Sequence, residues 1–129
     1  MKLFVSALAL LSVALPAFPA AAQVAGPWFV AGVISGTPFA SDCRFEDHGG
    51  GAFGGVCIDS AVGNPRGKPG TVHELTMGEV KDGQVSWAYG ASFMLAKFNV
   101  DFTGVLAGGR MTGTITAFGR KGGFTATRK

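Results

Sequence analysis

The sequence predicts an all-β fold, an eight-stranded antiparallel up-and-down β-barrel with one hairpin disulfide, on three observations. Apolar and polar residues alternate through the last third of the chain. Phe98, Val100 and Phe102 share one parity, and Asn99, Asp101 and Thr103 the other, which is the two-residue period of a strand with one dry face. Each such run ends at a glycine-bearing break, and 21 glycines suit the tight turns and close backbone approaches of a small barrel. Two cysteines, Cys43 and Cys57, flank a glycine-centred turn. Eight antiparallel strands in simple succession leave two edges exposed, and closing the sheet removes both.

The elements follow in order. Residues 28–35 form the first strand, stopped by Gly36-Thr37-Pro38. Residues 39–47 and 52–59 form a hairpin turning at Gly49-Gly50-Gly51, which sets Cys43 opposite Cys57. In an exported chain an even cysteine count reads as a disulfide, and closing a loop of this length stabilises a fold by roughly 3 kcal/mol. Residues 60–70 are irregular, because Pro65, Pro69 and three glycines break any regular element. Residues 71–80 form the fourth strand, and Asp82-Gly83 is a strong hairpin turn. In the fifth strand, residues 84–89, Val85, Trp87 and Tyr89 alternate with Gln84, Ser86 and Ala88. Gly90-Ala91-Ser92 leads to the sixth strand, which breaks at Ala107-Gly108-Gly109. Met111, Ile115 and Ala117 point inward from the seventh strand. After a break at residues 119–122, Phe124 and Ala126 do so from the eighth.

The chain opens Met1-Lys2, runs apolar from Leu3 to Leu15, and reaches Ala20-Ala21-Ala22 before Gln23. A positive start, an apolar stretch too short to span a bilayer and an Ala-x-Ala site make a secretory signal peptide. Cleavage is expected after Ala22, within two residues. Residues 1–22 are then the signal peptide and residues 23–129 the barrel domain, periplasmic or secreted, with no transmembrane segment left. Loss of Lys2 takes the 11 Lys and Arg to ten against eight Asp and Glu, a net charge of +2. That is too small to argue for nucleic acid, and no basic run is interleaved with aromatics.

Gly26-Pro27-Trp28 opens the first strand, and Arg128 sits on the inward parity of the last. A Gly-x-Trp at the start and an Arg near the end resemble the calycin group: lipocalins, fatty-acid-binding proteins and avidins. The resemblance implies a barrel whose Arg128 packs over the Trp28 ring and shuts the floor, a cation–π contact of about 0.5–2 kcal/mol. The tail, with its Met-x-Gly-Thr and Gly-Phe-x-Ala-x-Arg, also looks like that of small exported bacterial barrels. A second resemblance rests on Gly-x-Trp followed by Cys, a hairpin and Cys. This is similar to small periplasmic inhibitors of secreted metalloproteases, which implies a secreted protease as partner and residues 23–26 as the inserting arm.

In an up-and-down barrel the connections alternate between two ends. The short turns near residues 50, 82 and 108 share one end with both termini, together with Trp28 and Arg128, so that end is expected to be closed. The other end collects the longer, basic connections, carrying Arg66, Lys68, Arg120 and Lys121. Barrel ligands enter at such a mouth. The expected lining is Leu75, Met77, Val85, Trp87, Tyr89, Phe98, Val100, Phe102, Met111, Ile115 and Phe124. The first functional reading is therefore an exported calycin-like barrel that binds a small apolar or amphipathic, anionic-headed molecule.

Two alternatives stand beside it. One is the protease inhibitor or another protein-interaction barrel. The other is a cofactor-independent isomerase or cyclase in which His73 or Tyr89 is the acid–base group: His73 shares the parity of Leu75 and Met77, which points it inward beside Tyr89. No cofactor and no metal is expected. His73-Glu-Leu-Thr-Met77 lacks the second His of a zinc-protease helix, and the scattered acids do not pair for glycosidase chemistry.

Overall fold

The computed structural model describes residues 20–60 and 68–129. Residues 1–19, which hold most of the expected signal peptide, and residues 61–67, which hold Arg66, lie outside the described residues. Eight strands follow one another round a closed barrel: β1 (Gly26–Ile34), β2 (Thr37–Gly49), β3 (Ala52–Asp59), β4 (Val72–Lys81), β5 (Gln84–Phe93), β6 (Ala96–Ala107), β7 (Arg110–Ala117) and β8 (Arg120–Arg128). β1 closes antiparallel on β8, with Trp28 opposite Arg128 and Gly32 opposite Phe124. Among the described residues, no helix is long and apolar enough to cross a membrane.

Turn chemistry sets the hairpins. Asp82-Gly83 and Ser35-Gly36 both have positive φ at each residue, the primed geometry that matches the strand twist. Two turns fall later or shorter than expected. Gly90 stays extended and pairs with Asn99, so β5 runs on to Phe93, and the turn falls at Met94 and Leu95. Glycine permits a turn but does not require one. The last turn is Phe118-Gly119 alone, which leaves Arg120 and Lys121 on β8.

A register shift between Leu75 and Met77 reverses the parity of β4. His73 and Leu75 face in, but Met77 pairs with Ala88, on the face opposite Trp87 and Tyr89. Met77 is 43% exposed on the outer wall, which corrects its expected place in the lining. Gly78 takes the inward position, where a side chain would meet the Phe53 ring.

The lower barrel is filled with aromatic rings. Trp87 stacks on Phe102 at 4.7 Å and 8°, and Phe124 stands edge-on to both at 5.3 and 5.4 Å. Phe45 approaches Trp87 at 5.2 Å and Phe53 at 5.0 Å. Phe124 fits because Gly32 and Gly113 flank it in register. A Cβ on either glycine would lie 2.0 Å from a neighbouring carbonyl oxygen, so backbone approach buys room for the ring. The Trp87 Nε1–H is buried without a hydrogen-bond partner among the described residues. An unmade bond of that kind costs about 1–3 kcal/mol, so this indole serves through its area and stacking. The Cys43–Cys57 disulfide joins directly opposed residues of β2 and β3, both buried.

The floor is sealed from the N-terminal side. A single 3₁₀ turn (Ala20–Gln23) lies beneath the barrel and buries Ala21 and Val24. Trp28 Nε1 donates to the Val24 carbonyl at 2.8 Å, and the Arg128 guanidinium lies 4.6 Å from the Trp28 ring. The same guanidinium donates to the Ala25 carbonyl at 2.8 Å and to the Gln23 carbonyl. Arg128→Ala removes a ring contact and two hydrogen bonds together. It is expected to lower unfolding stability by about 1–2 kcal/mol in urea titration, with Arg128→Lys recovering less than half, because an ammonium does not span both carbonyls.

Candidate functional site

Above the aromatic layer the barrel opens into a cup of about 440 Å³ at the mouth. Its wall is divided. Ile34 of β1, Phe39 of β2, Phe98 and Val100 of β6 and Ile115 and Ala117 of β7 supply an apolar side. Ser41, Asp59, His73 and Tyr89, on β2 to β5, supply a polar side. That volume falls in the usual range for small-molecule sites, and an apolar wall with a few convergent polar groups is their usual make-up.

The register builds the polar side. The Cys43–Cys57 pair sets Ser41 opposite Asp59, two residues nearer the mouth and on the same inward parity. β4 sets His73 opposite Cys57, one step along from Asp59. His73 Nε2 lies 3.0 Å from Asp59 Oδ2, and Ser41 Oγ donates to Asp59 Oδ1 at 3.4 Å. The backbone of Asp59 is pinned to the chain that follows the 61–67 segment: its N–H donates to the Thr71 carbonyl at 2.9 Å and its carbonyl accepts from Gly70 N–H at 2.8 Å. The carboxylate is thus held on a rigid strand end, where it can orient the imidazole. The Tyr89 ring stacks on His73 at 4.5 Å and 17°.

The electrostatics follow from this packing. The hydrogen bond to Asp59 raises the His73 pKa above 6.5. Burial opposes it, while the Asp59 charge and the Gly90 backbone add to it. Burial raises the Tyr89 hydroxyl well above its usual 10.0, the Asp59 charge pushes the same way, and a hydrogen bond with Ser41 pulls back. Tyr89 therefore stays a protonated donor at neutral pH. His73 is the group whose charged form the site favours, with Asp59 to stabilise its cation. Among the described residues no three His, Cys, Asp or Glu side chains come together as a metal set.

Of the residues singled out in the sequence, His73, Tyr89, Phe98 and Lys68 line the cup, as do Val100 and Ile115. Leu75 is half-buried against the core, and Trp87, Phe102, Met111, Phe124 and Val85 lie within it. Arg120 and Lys121 stand exposed on β8 at the rim. Sequence reasoning passed over Asp59 and Ser41 as site residues. The signal was present, since a Cys43–Cys57 register carried two residues on brings them together. Compared with protein-family models and with curated protein sequences, the chain finds no match.

The raised His73 pKa has a thermodynamic consequence. The stabilisation it brings is complete below about pH 6.5 and is lost as pH rises through the higher folded-state value. Urea unfolding from about pH 5 to about pH 9 should show stability falling across the alkaline half of that range. His73→Gln and Asp59→Asn should each flatten that fall. An unchanged slope in both variants would mean that the pair does not couple to folding.

Proposed function

We propose that the protein is an exported barrel of calycin-like architecture that binds a small amphipathic molecule in its mouth cup. The observation that carries this reading is the divided wall. An apolar body matches the Phe98, Val100, Ile115 and Ala117 side, and a polar or anionic head matches His73, Tyr89 and Lys68. A His73 cation, favoured by Asp59, gives an anionic head a partner, and the Tyr89 hydroxyl supplies a donor at any physiological pH. The aromatic layer beneath limits the ligand to the size of the cup. A periplasmic or secreted setting suits the buried disulfide, which forms and persists under oxidising conditions. An N-terminus at Gln23 would retain Val24 and the carbonyls that Arg128 holds, while discarding Ala21.

A second reading is favoured by the 3.0 Å His73–Asp59 contact beside a stacked Tyr89. A carboxylate-oriented imidazole and a phenol in a partly apolar pocket can exchange a proton with a bound substrate, which is isomerase or cyclase chemistry without a cofactor. The inhibitor reading has less support. Val24 is buried and Arg128 grips the carbonyls of Gln23 and Ala25, so the segment expected to act as an arm is folded onto the barrel floor.

Native mass spectrometry of protein purified from its own periplasm tests the binding reading. A retained amphiphile is expected, and Ala117→Trp, which fills the cup, should abolish it with the circular dichroism spectrum unchanged. Equal retention by the filled variant would place the ligand elsewhere. If instead a substrate is turned over, His73→Gln should lower kcat by about 10²–10⁴-fold.

A further inference from the structure

At the mouth the β5–β6 hairpin runs on past its pairing with both neighbouring strands, β4 and β7. β5 pairs with β4 only up to Leu75–Tyr89, and β6 pairs with β7 only from Val100–Ala117, whereas β5 and β6 stay paired to Phe93–Ala96. Residues 96–99 of β6 extend as a finger roughly 13 Å beyond Val100, with Ala91 and Phe98 at the base still packed against the core and the tip projecting. Its tip is apolar and solvated: Phe93 is 61% exposed, Met94 84% and Leu95 100%. Phe118, 64% exposed at the β7–β8 turn, packs edge-on against Phe98 at the base of the finger, 5.4 Å between rings. The two tips thus form one continuous apolar crest.

The turn chemistry makes this crest costly. Met94 and Leu95 hold φ of 49° and 72°, a left-handed geometry in which residues with a Cβ are strained and Asn-Gly is preferred. The neighbouring described two-residue turns, Ser35-Gly36, Asp82-Gly83, Gly108-Gly109 and Phe118-Gly119, each contain a glycine. Met94-Leu95 contains none. Folding gains nothing from two unpacked apolar side chains there.

Acidic side chains are sparse at the mouth, although cations stand at both ends, with Arg44, Lys81, Arg110, Arg128 and Lys129 toward the floor. Lys97 flanks the finger, and Lys68, Arg120 and Lys121 are exposed around the mouth. The mouth acid among the described residues, Asp59, is turned inward onto His73. Glu46, Asp47, Glu79 and Asp82 lie at the opposite end, in the strands and turns around the floor. A convex apolar crest ringed by cations complements an anionic lipid surface. The apolar tips enter the headgroup–acyl boundary and the cations meet the phosphates.

We infer that the mouth end docks on an anionic phospholipid bilayer through Phe93, Met94, Leu95 and Phe118, with Lys97, Arg120 and Lys121 at the headgroups. This orientation aims the cup at the lipid surface, but docking itself does not depend on what the cup holds.

The test is flotation of the mature protein with vesicles of phosphatidylcholine mixed with phosphatidylglycerol, and with phosphatidylcholine alone. Binding to the anionic vesicles that weakens as salt rises is expected. Met94→Asn combined with Leu95→Gly supplies the preferred turn. It should preserve or raise the melting temperature while lowering vesicle affinity at least about tenfold. Lys97→Gln and Lys121→Gln should each weaken binding to the anionic vesicles about fivefold. The inference is overturned if the wild-type protein stays unbound, or if the double variant binds as tightly. It is equally overturned if the crest proves to hold a second copy of the chain, seen as a dimer in sedimentation that the double variant dissolves. No ligand enters this experiment, so its failure and that of the cup-binding reading are separate results.

Discussion

The structure depends on the antiparallel pairing of β1 with β8. Without it the sheet has two open edges, the interior has no far wall, and the mouth residues belong to no common cavity. The pairing sets Trp28 opposite Arg128 at the base, where the guanidinium covers the indole and holds two carbonyls of the incoming chain. One side chain therefore joins the segment leading into β1 to the end of β8 and stoppers the floor. A planar guanidinium suits that position, since it can lie over a ring and still donate in its own plane.

With the floor closed, the interior is partitioned by volume. The rings of Phe45, Trp87, Phe102 and Phe124 occupy the lower part in stacked and edge-on contacts. They are rigid, they leave little space between them, and the cost of the unpartnered Trp87 N–H is accepted for that packing. What remains open lies above them. The cup is shallow because the aromatic layer is thick, and its two-sided chemistry follows from which strands reach the rim with apolar residues and which with polar ones.

The polar side of the cup shows how a structural device places a chemical group. The disulfide fixes the β2–β3 register, the register opposes Ser41 to Asp59, and the β3–β4 pairing delivers His73 to the same carboxylate. One set of constraints both stabilises the sheet and brings the polar groups of the cup together. The mouth tips differ in kind, because Met94 and Leu95 lie outside any packed layer and are not explained by stability.

Much of this was legible in the residues themselves. Alternation along β6 to β8, Asp82-Gly83 and the spacing of Cys43 and Cys57 are local signals, each with a local physical cause, and they determined the strand count and the inward direction of His73 and Tyr89, while the pairing of Trp28 with Arg128 was expected only from a resemblance to known barrels. The bulge that turns Met77 outward was not legible, because a one-residue shift depends on how β4 meets β5 and leaves no mark in composition. Nor was the extension of β5 through Gly90, since glycine is equally at home in a strand and a turn. Whether Trp87, Phe102 and Phe124 line a cavity or fill it is a matter of summed ring volume against barrel width. Only the closed tertiary structure decides that, because all eight strands must be in place before there is an interior to fill.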